Sequence, residues 1–274
     1  MDPQGTVVEI VAIGNELLIG DVLDTNTHWL CRRITGLGGV VQRAVMVRDD
    51  VEAIGREVLG AIRRGARVVF TTGGLGPTAD DMTLQALAQA LQRPLALHPV
   101  ALDLVRAKYR ELAEAGYVGH AEMTPERLKM ATLPQGATPL PNPVGGAPGV
   151  LLEHEGAAIV ALPGVPEELK GIVEQSLPPM LKEWFGQAYY QERVMVVACG
   201  DESVLAPVVD AVARAHPEVY VKSRAKAYGP EVRLRVTLSA RGQTEEQVAR
   251  ALAAALDDLQ ARLAAAGIAV LDLS

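Results

Sequence analysis

Several common features are scarce in this chain of 274 residues. It has two cysteines, Cys31 and Cys199, which lie far apart in apolar contexts, so we expect reduced, buried thiols and neither a disulfide nor a catalytic cysteine. Aromatic residues make up 4% of the chain, too few for a surface that stacks single-stranded nucleic acid. The 26 basic residues face 33 acidic ones, a formal net charge of -7, so we expect no nucleic-acid partner.

Long hydrophobic runs are also missing. The apolar run Val7–Ile13 is too short for a membrane span or a signal-peptide core, and residues 1–5 are polar. The 5 histidines show no HExxH spacing, and there is no GxSxG motif, so we expect neither a zinc site nor a covalent nucleophile. With 49% hydrophobic residues, the composition indicates a globular protein, which we expect to be cytoplasmic and without membrane partners.

The first part of the chain alternates short apolar runs with helical patterns. Strands are predicted at Val7–Ile13, Val40–Val47 and residues 67–72, and helices at residues 25–35, 50–64 and 81–91. This order predicts the α/β class, with a doubly wound, mostly parallel sheet. Ligands of such sheets bind at the carboxyl ends of the strands, where three polar clusters follow in this chain.

A smaller second domain is predicted after a boundary between residues 188 and 189, which gives domains of residues 1–188 and 189–274. The pattern restarts with a strand at 193–198, a helix at 203–215, strands at 218–222 and 231–239, and a helix at 245–265. This order is typical of an α+β module. Before the boundary, a stretch rich in proline and glycine at residues 133–149 leads into a predicted hairpin at 150–162, which favours an ordered loop.

The most informative segment is residues 67–83, where a predicted strand runs into Gly73-Gly-Leu-Gly76 and then into Asp80 and Asp81. Glycines let backbone N–H groups approach an anion, and a helix N-terminus favours negative charge. Acids stand where a Walker A loop carries lysine, so an anionic ligand here needs a cation between itself and the carboxylates. The alternative is a tight turn with an Asp N-cap. Helix capping is likewise the alternative for Asp24 and Asp49.

Four motifs resemble, in order, those of the CinA family (competence/damage-inducible protein A), within the molybdopterin-binding group that includes MoaB and Mog. They are Gly14-Asn-Glu-Leu-Leu-Ile-Gly with Asp24-Thr-Asn, residues 73–83, Asn142-Pro-Val-Gly-Gly-Ala-Pro-Gly and Leu162-Pro-Gly-Val-Pro-Glu-Glu. The resemblance implies a MoCF-type domain like MoaB and Mog, followed by a KH-like α+β domain. It also implies a homodimer and a metal-dependent pyrophosphatase that hydrolyses ADP-ribose, or a related dinucleotide diphosphate, to AMP and a sugar phosphate.

The resemblance also implies roles for individual residues. Asp49, Asp81 and Lys129 would be catalytic, and Asp49 and Asp81 would hold a divalent metal, Mg²⁺, Mn²⁺ or Co²⁺. The implied substrate-binding residues are Glu16, Asp24, Asn26, Gly73, Gly74, Gly76, Thr78, Asn142, Gly145, Pro163 and Gly164.

The chain departs from the family pattern in three places. No segment corresponds to the family's C-terminal nicotinamide mononucleotide deamidase domain, so we expect that activity to be absent. The usual Lys-Gln-Ala is Lys129-Met-Ala131, and the usual Gly-Thr-Ala-Pro-Gly is Gly145-Gly-Ala-Pro-Gly149, which removes an amide and a hydroxyl. Two alternatives stay open: a molybdopterin adenylyltransferase, and a non-catalytic module that binds molybdopterin or a nucleotide. RNA binding by the second domain is not expected, because it has no Gly-x-x-Gly loop.

Overall fold

The computed structural model describes residues 5–186, 189–225 and 233–273. The chain divides into two compact units: residues 1–35 with 39–185, and residues 36–38 with 186–274. Residues 187 and 188, at the predicted domain boundary, lie outside the described residues, as do Met1–Gln4, Lys226 and the first two residues of the strand predicted at 231–239. No helix within the described ranges is long and apolar enough to cross a membrane.

The helices and strands follow one another along both units. In chain order they are β1 (Val7–Ile13), α1 (Asn15–Leu18), α2 (Thr25–Gly36), β2 (Val40–Val47), α3 (Val51–Arg63), β3 (Val68–Thr72), α4 (Thr83–Ala90), β4 (Leu95–Leu97), α5 (Pro99–Glu114), α6 (Pro125–Lys129), β5 (Thr132–Pro134), β6 (Thr138–Leu140), β7 (Gly149–His154), β8 (Ala157–Leu162), α7 (Pro166–Gln175), α8 (Pro178–Phe185), β9 (Tyr189–Val197), α9 (Glu202–Ala215), β10 (Val219–Ala225), β11 (Leu234–Gly242), α10 (Glu245–Ala265) and β12 (Val270–Leu273).

The first unit is built around a six-stranded sheet with the order β2-β1-β3-β8-β7-β6. The strands β2, β1, β3 and β8 are parallel neighbours, whereas β7 is antiparallel to both β8 and β6. All residues of β3 and β8 are buried, as expected for central strands that are covered on both faces. The predicted α/β class with a mainly parallel sheet is therefore confirmed. Strands β4 and β5 form a separate antiparallel pair.

The second unit is a four-stranded antiparallel sheet with the order β10-β11-β9-β12, accompanied by α9 and α10. Its core joins the inward face of β9 and β11 to the apolar stripe of α10, where Leu252 and Leu259 are buried. The apolar residues near the C-terminus, which we had not assigned to a strand, form β12. The unit is α+β, as predicted, and its KH-like character stays a prediction. The basic residues Lys222 and Arg224 lie on β10.

One helix begins later than predicted, and one predicted ordered loop contains a strand. Helix α4 begins at Thr83 rather than at Asp81, because the Asp81 carboxylate is bound to the turn before the helix and Met82 occupies the N-cap position. The stretch at residues 133–149 contributes β6 and buried residues such as Leu140 and Ala147, and its ordered character is confirmed. Such a loop becomes ordered when its apolar residues are buried against the sheet.

Candidate functional site

The candidate site is a cleft of about 450 Å³ at the edge of the large sheet where the parallel strands end. The segments that follow β1, β2, β3 and β8 begin with Gly14, Arg48, Gly73 and Pro163. Parallel strands bring their carboxyl ends to one edge, so these four segments meet there. The cleft is lined by Ile13, Glu16, Asp49, Gly73, Gly74, Leu75, Gly76, Pro77, Asp80, Asp81, Tyr109, Met130, Gly146, Ala147, Pro163, Gly164, Val165 and Glu168.

The glycine loop after β3 has a backbone that other residues adopt rarely. Gly73 and Gly74 have φ of 101° and 69°, and a Cβ on Gly73 would lie 2.2 Å from the Ile13 carbonyl oxygen. The fully buried Thr83 holds this conformation, since its hydroxyl donates to the Gly73 carbonyl at 2.8 Å and its N–H donates to the Gly74 carbonyl at 3.1 Å. The loop is therefore preformed without a ligand.

Asp81 supports the second half of the loop. Its Oδ2 accepts the Thr78 N–H at 2.8 Å and the Thr78 hydroxyl at 2.6 Å. Lys129, for which the resemblance implies a catalytic role, donates from its Nζ to the Thr78 carbonyl, so its amine lies against the backbone of this turn. The Thr78 hydroxyl, more than any other contact, lowers the pKa of the neighbouring Asp80 carboxyl. Asp80 is therefore ionised in the cleft at neutral pH.

The two acids after β2 have different partners. Asp50 is the N-cap of α3, and its Oδ1 accepts the Ala53 N–H at 2.7 Å. Asp49 takes no part in this cap; its Oδ2 accepts the Asn15 N–H at 2.8 Å and so joins the segment after β1 to the segment after β2. Asp50 is therefore the acid that caps α3, whereas Asp49 lines the cleft and accepts the N–H of the first residue of α1.

The segment after β8 is held by Asn26. The Asn26 side chain is 8% exposed, and its Nδ2 donates to the Gly164 carbonyl at 2.7 Å. Asp24 caps α2, with its Oδ1 accepting the Thr27 N–H at 2.9 Å. Neither Asp24 nor Asn26 lines the cleft, but Asn26 is bound to Gly164, which does.

Glu168, in the first turn of α7, is a cleft residue to which we had given no role. Its Oε2 accepts a hydrogen bond from Asn142 Nδ2 at 2.6 Å, while Asn142 Oδ1 accepts the Gly145 N–H at 2.9 Å. Burial raises the pKa of Glu168, and the Asn142 hydrogen bond and the charge of Lys108 oppose this effect. The motif at residues 162–168 contains Glu168, but nothing in its spacing distinguishes it from Glu167.

The structure brings together only part of the predicted site. Eight predicted residues line the cleft: Glu16, Asp49, Gly73, Gly74, Gly76, Asp81, Pro163 and Gly164. The others are not among the residues that line it: Asp24, Asn26, Thr78, Lys129, Asn142 and Gly145. Sequence reasoning missed Tyr109, which lies on α5 far along the chain from every motif. These placements leave the predicted roles untested.

The acids of the cleft do not form a complete metal cage. Within the described ranges, no group of three or more His, Cys, Asp or Glu side chains is arranged to hold a metal ion. Magnesium is commonly bound by one or two carboxylates together with the phosphates of its ligand. The hard oxygen donors Asp49 and Asp81 fit a metal of that kind, held jointly by the protein and a phosphate-bearing ligand.

The cysteines lie away from this chemistry. Both are free; Cys199 is buried, whereas Cys31 is only partly buried. Burial, and secondly the charge of Asp24, raises the pKa of Cys31. A raised pKa keeps the thiol protonated and therefore unreactive at neutral pH.

The chain is similar to a known protein family, to individual relatives and to a solved structure. Residues 9–183 match the family described as a probable molybdopterin binding domain. A protein from Aeropyrum pernix is 47% identical over 249 residues, 89% of each chain, and one from Pyrobaculum aerophilum is 44% identical over 243 residues, 88% of each. The crystal structure of CinA from Thermoplasma acidophilum, a protein described as of unknown function, is 33% identical and matches 65% of this chain and 98% of its own with a TM-score of 0.58.

Proposed function

Since this chain belongs to the family of probable molybdopterin binding domains, we propose that the cleft binds the phosphate group of molybdopterin or of a related nucleotide-like ligand. The observation that carries the proposal is the meeting of a preformed glycine loop with Asp49 and Asp81 in one cleft. Backbone N–H groups of such a loop suit a phosphate.

The acids favour an enzyme over a simple binding module. Asp49, Asp80 and Asp81 would repel a bound phosphate unless a cation lay between them. We therefore propose that Asp49 and Asp81 hold a divalent ion, which would polarise a phosphoryl group when bound. In this proposal the N–H groups of Gly74 and Gly76 orient the phosphate. The Gly73 N–H donates to the Leu162 carbonyl at 2.9 Å, so Gly73 contributes the turn itself. Lys129 stabilises the loop through the Thr78 carbonyl.

The reaction that we propose first is transfer of AMP to the molybdopterin phosphate. A phosphate oxygen of the pterin attacks the α-phosphorus of ATP, a new P–O–P bond forms, and pyrophosphate leaves. The protein would hold the two reacting groups in line, which supplies much of the catalysis in phosphoryl transfer.

The second candidate is hydrolysis of ADP-ribose or a related dinucleotide to AMP and a sugar phosphate. The resemblance of the sequence motifs to the CinA family implies this reaction, and the match to the CinA structure agrees with that resemblance without naming a reaction. Water would attack one phosphorus of the diphosphate, and the bond to the bridging oxygen would break. The same loop and acids serve both reactions.

One experiment separates these possibilities. The purified protein is given ADP-ribose, FAD, or ATP with molybdopterin, each with and without Mg²⁺, Mn²⁺ or Co²⁺, and AMP and adenylated pterin are measured. We expect metal-dependent adenylated pterin; AMP from ADP-ribose would instead support the second candidate. Tight pterin binding without any product would leave a binding module.

A matched pair of variants tests the acids. Asp81→Asn should abolish the metal-dependent product, whereas Asp103→Asn should retain it, because Asp103 is 76% exposed on α5 and pairs with Arg106. Full activity of Asp81→Asn would show that the metal assignment is wrong.

A further inference from the structure

Tyr109 presents an aromatic ring to the cleft. It lies on α5, is partly buried and lines the cleft together with Met130 and Gly146. The guanidinium carbon of Arg127 lies 3.9 Å from the ring centroid, on one face of the ring. This cation–π contact favours one position of the aromatic ring. Arg127 therefore covers one face of the ring, and Tyr109 contributes to the wall of the cleft.

The stacked Arg127 is itself held in place. Its Nη1 donates to the carbonyl oxygens of His120 at 2.8 Å and of Glu122 at 2.6 Å. Its backbone N–H donates to the hydroxyl of Thr124, the N-cap of α6. These contacts hold Arg127 against the chain before α6. Because Arg127 stacks on Tyr109, they also help to fix the position of the Tyr109 ring.

Gly146 leaves the space that the ring occupies. A Cβ on Gly146 would lie 3.0 Å from Tyr109 Cε2 and 3.3 Å from the phenolic oxygen. Its φ does not lie in the left-handed region, so backbone strain does not explain the glycine here. A side chain at position 146 would therefore press on the ring, and glycine leaves Tyr109 its place in the wall of the cleft.

We propose that Tyr109 is the platform on which a planar heterocycle of the ligand, a pterin or a purine, stacks while the glycine loop holds its phosphate. The inference rests on the proposed function, because it concerns the same cleft. A cleft of about 450 Å³ lies within the range of small-molecule sites and exceeds the needs of a bare phosphate. The ring discriminates by shape: a flat base gains stacking energy, and inorganic phosphate does not.

Tyr109 also packs against the core of the first unit, so its removal has a structural effect that the test must separate. Binding is measured by calorimetry, with Mg²⁺ present, for AMP, neopterin monophosphate and inorganic pyrophosphate. The proteins are the wild type, Tyr109→Phe, Tyr109→Leu and Gly146→Ala. Tyr109→Leu keeps a smaller apolar side chain that has no flat face, and its thermal unfolding is recorded beside its binding.

We expect Tyr109→Leu to weaken binding of AMP or neopterin monophosphate by about fivefold to a hundredfold. Pyrophosphate affinity should stay within about twofold, and Tyr109→Phe should bind like the wild type, because stacking needs only the ring. Gly146→Ala should lose less affinity than Tyr109→Leu. The heterocycle whose affinity falls more is the one that gains more from stacking on Tyr109.

Unchanged affinity for both heterocycles in Tyr109→Leu would overturn the inference, and so would an equal loss for pyrophosphate, which would indicate a structural role. A wild-type protein that binds none of the three ligands would overturn the proposed function itself, and with it the stacking platform.

Discussion

The two ends of the large sheet both carry cavities, and the larger one is not the candidate site. At the carboxyl ends of the parallel strands lies the cleft of about 450 Å³, and at their amino ends lies a cavity of about 560 Å³. The second cavity, here called the lower cavity, is lined by Thr6, Arg67, Val68, Arg93, Glu153, His154, Glu155, Gly156, Ala157, Ala158, Glu183 and Trp184.

The difference between the two ends lies in the backbone. In the cleft, the main chain turns tightly at Gly73 and Gly74, beside the acids. In the lower cavity acids and bases are mixed, and Arg93 donates to the carbonyl oxygens of Glu153 and Gln135, so part of its hydrogen-bonding capacity is used within the fold. Volume alone therefore does not identify a phosphate site; the orientation of the strands does.

The largest effect should come from removing a cleft carboxylate. Asp49→Asn should lower the rate of metal-dependent product formation by about a hundredfold or more, because the metal loses a charged ligand. Glu183→Gln, in the lower cavity, should stay within about twofold of the wild type. Product formation is measured at saturating substrate for both. Equal losses in the two variants would remove the functional distinction between the ends.

The next effect concerns glycines with positive φ at each end. Gly73→Ala should destabilise the protein by about 3 kcal/mol, because left-handed strain adds to a Cβ that meets the Ile13 carbonyl. Gly156 also has a positive φ, of 75°, but a Cβ there would meet only Arg67, at 3.6 Å. We therefore expect Gly156→Ala to lower the stability by about 1 kcal/mol. Urea unfolding of the two variants tests the difference, and equal values would refute the close approach at Gly73.

A smaller effect is the pH dependence that Glu168 adds to stability. Because burial raises its pKa above the ordinary 4.5, the folded state binds this proton more tightly than the unfolded state. The stability that the protonated Glu168 contributes is therefore fully present below pH 4.5 and is lost as the pH rises through the raised pKa of the folded state. Glu168→Gln should make stability fall less steeply with pH over that interval, as measured by urea unfolding from pH 4 to pH 8. Identical slopes for variant and wild type would contradict the burial effect.

The smallest effects are expected from single side-chain hydrogen bonds. Asn26→Ala removes the bond to the Gly164 carbonyl and Thr6→Val removes the bond to the Trp184 carbonyl, each at about 1 kcal/mol of stability. Only Asn26→Ala should also weaken ligand binding, because Gly164 lines the cleft. If Thr6→Val weakened binding equally, the ends would be energetically coupled.

Local patterns predicted the elements well where the physics is local. Apolar runs such as Val7–Ile13 and Val40–Val47 are strands at those bounds, and the predicted similarity to the molybdopterin-binding group is confirmed. The likeness to CinA is confirmed as a structural match. Membership of the CinA family itself and the absence of a deamidase domain stay predictions, as do the metal and the homodimer.

Errors arose where a side chain had two possible partners. Asp81 was expected to begin a helix, yet its carboxylate accepts from Thr78 in the turn. Lys129, whose predicted catalytic role stays a prediction, donates to the Thr78 carbonyl, a partner that its position in the sequence does not indicate. Each choice depends on which group lies within hydrogen-bond distance after folding, and spacing along the chain does not contain that information.

The sequence by itself determined the parallel sheet, the glycine turn after β3 and the presence of acids after β2 and β3, because hydrophobic periodicity and glycine conformation act within a few residues. Only the tertiary structure decided that Asp50 caps a helix while Asp49 lines the cleft, that Asn26 and Asn142 do not line it, and that Tyr109 and Glu168 belong to its wall. Those residues lie on segments far apart in the chain, and it is the packing of helices against the sheet that brings them to one edge.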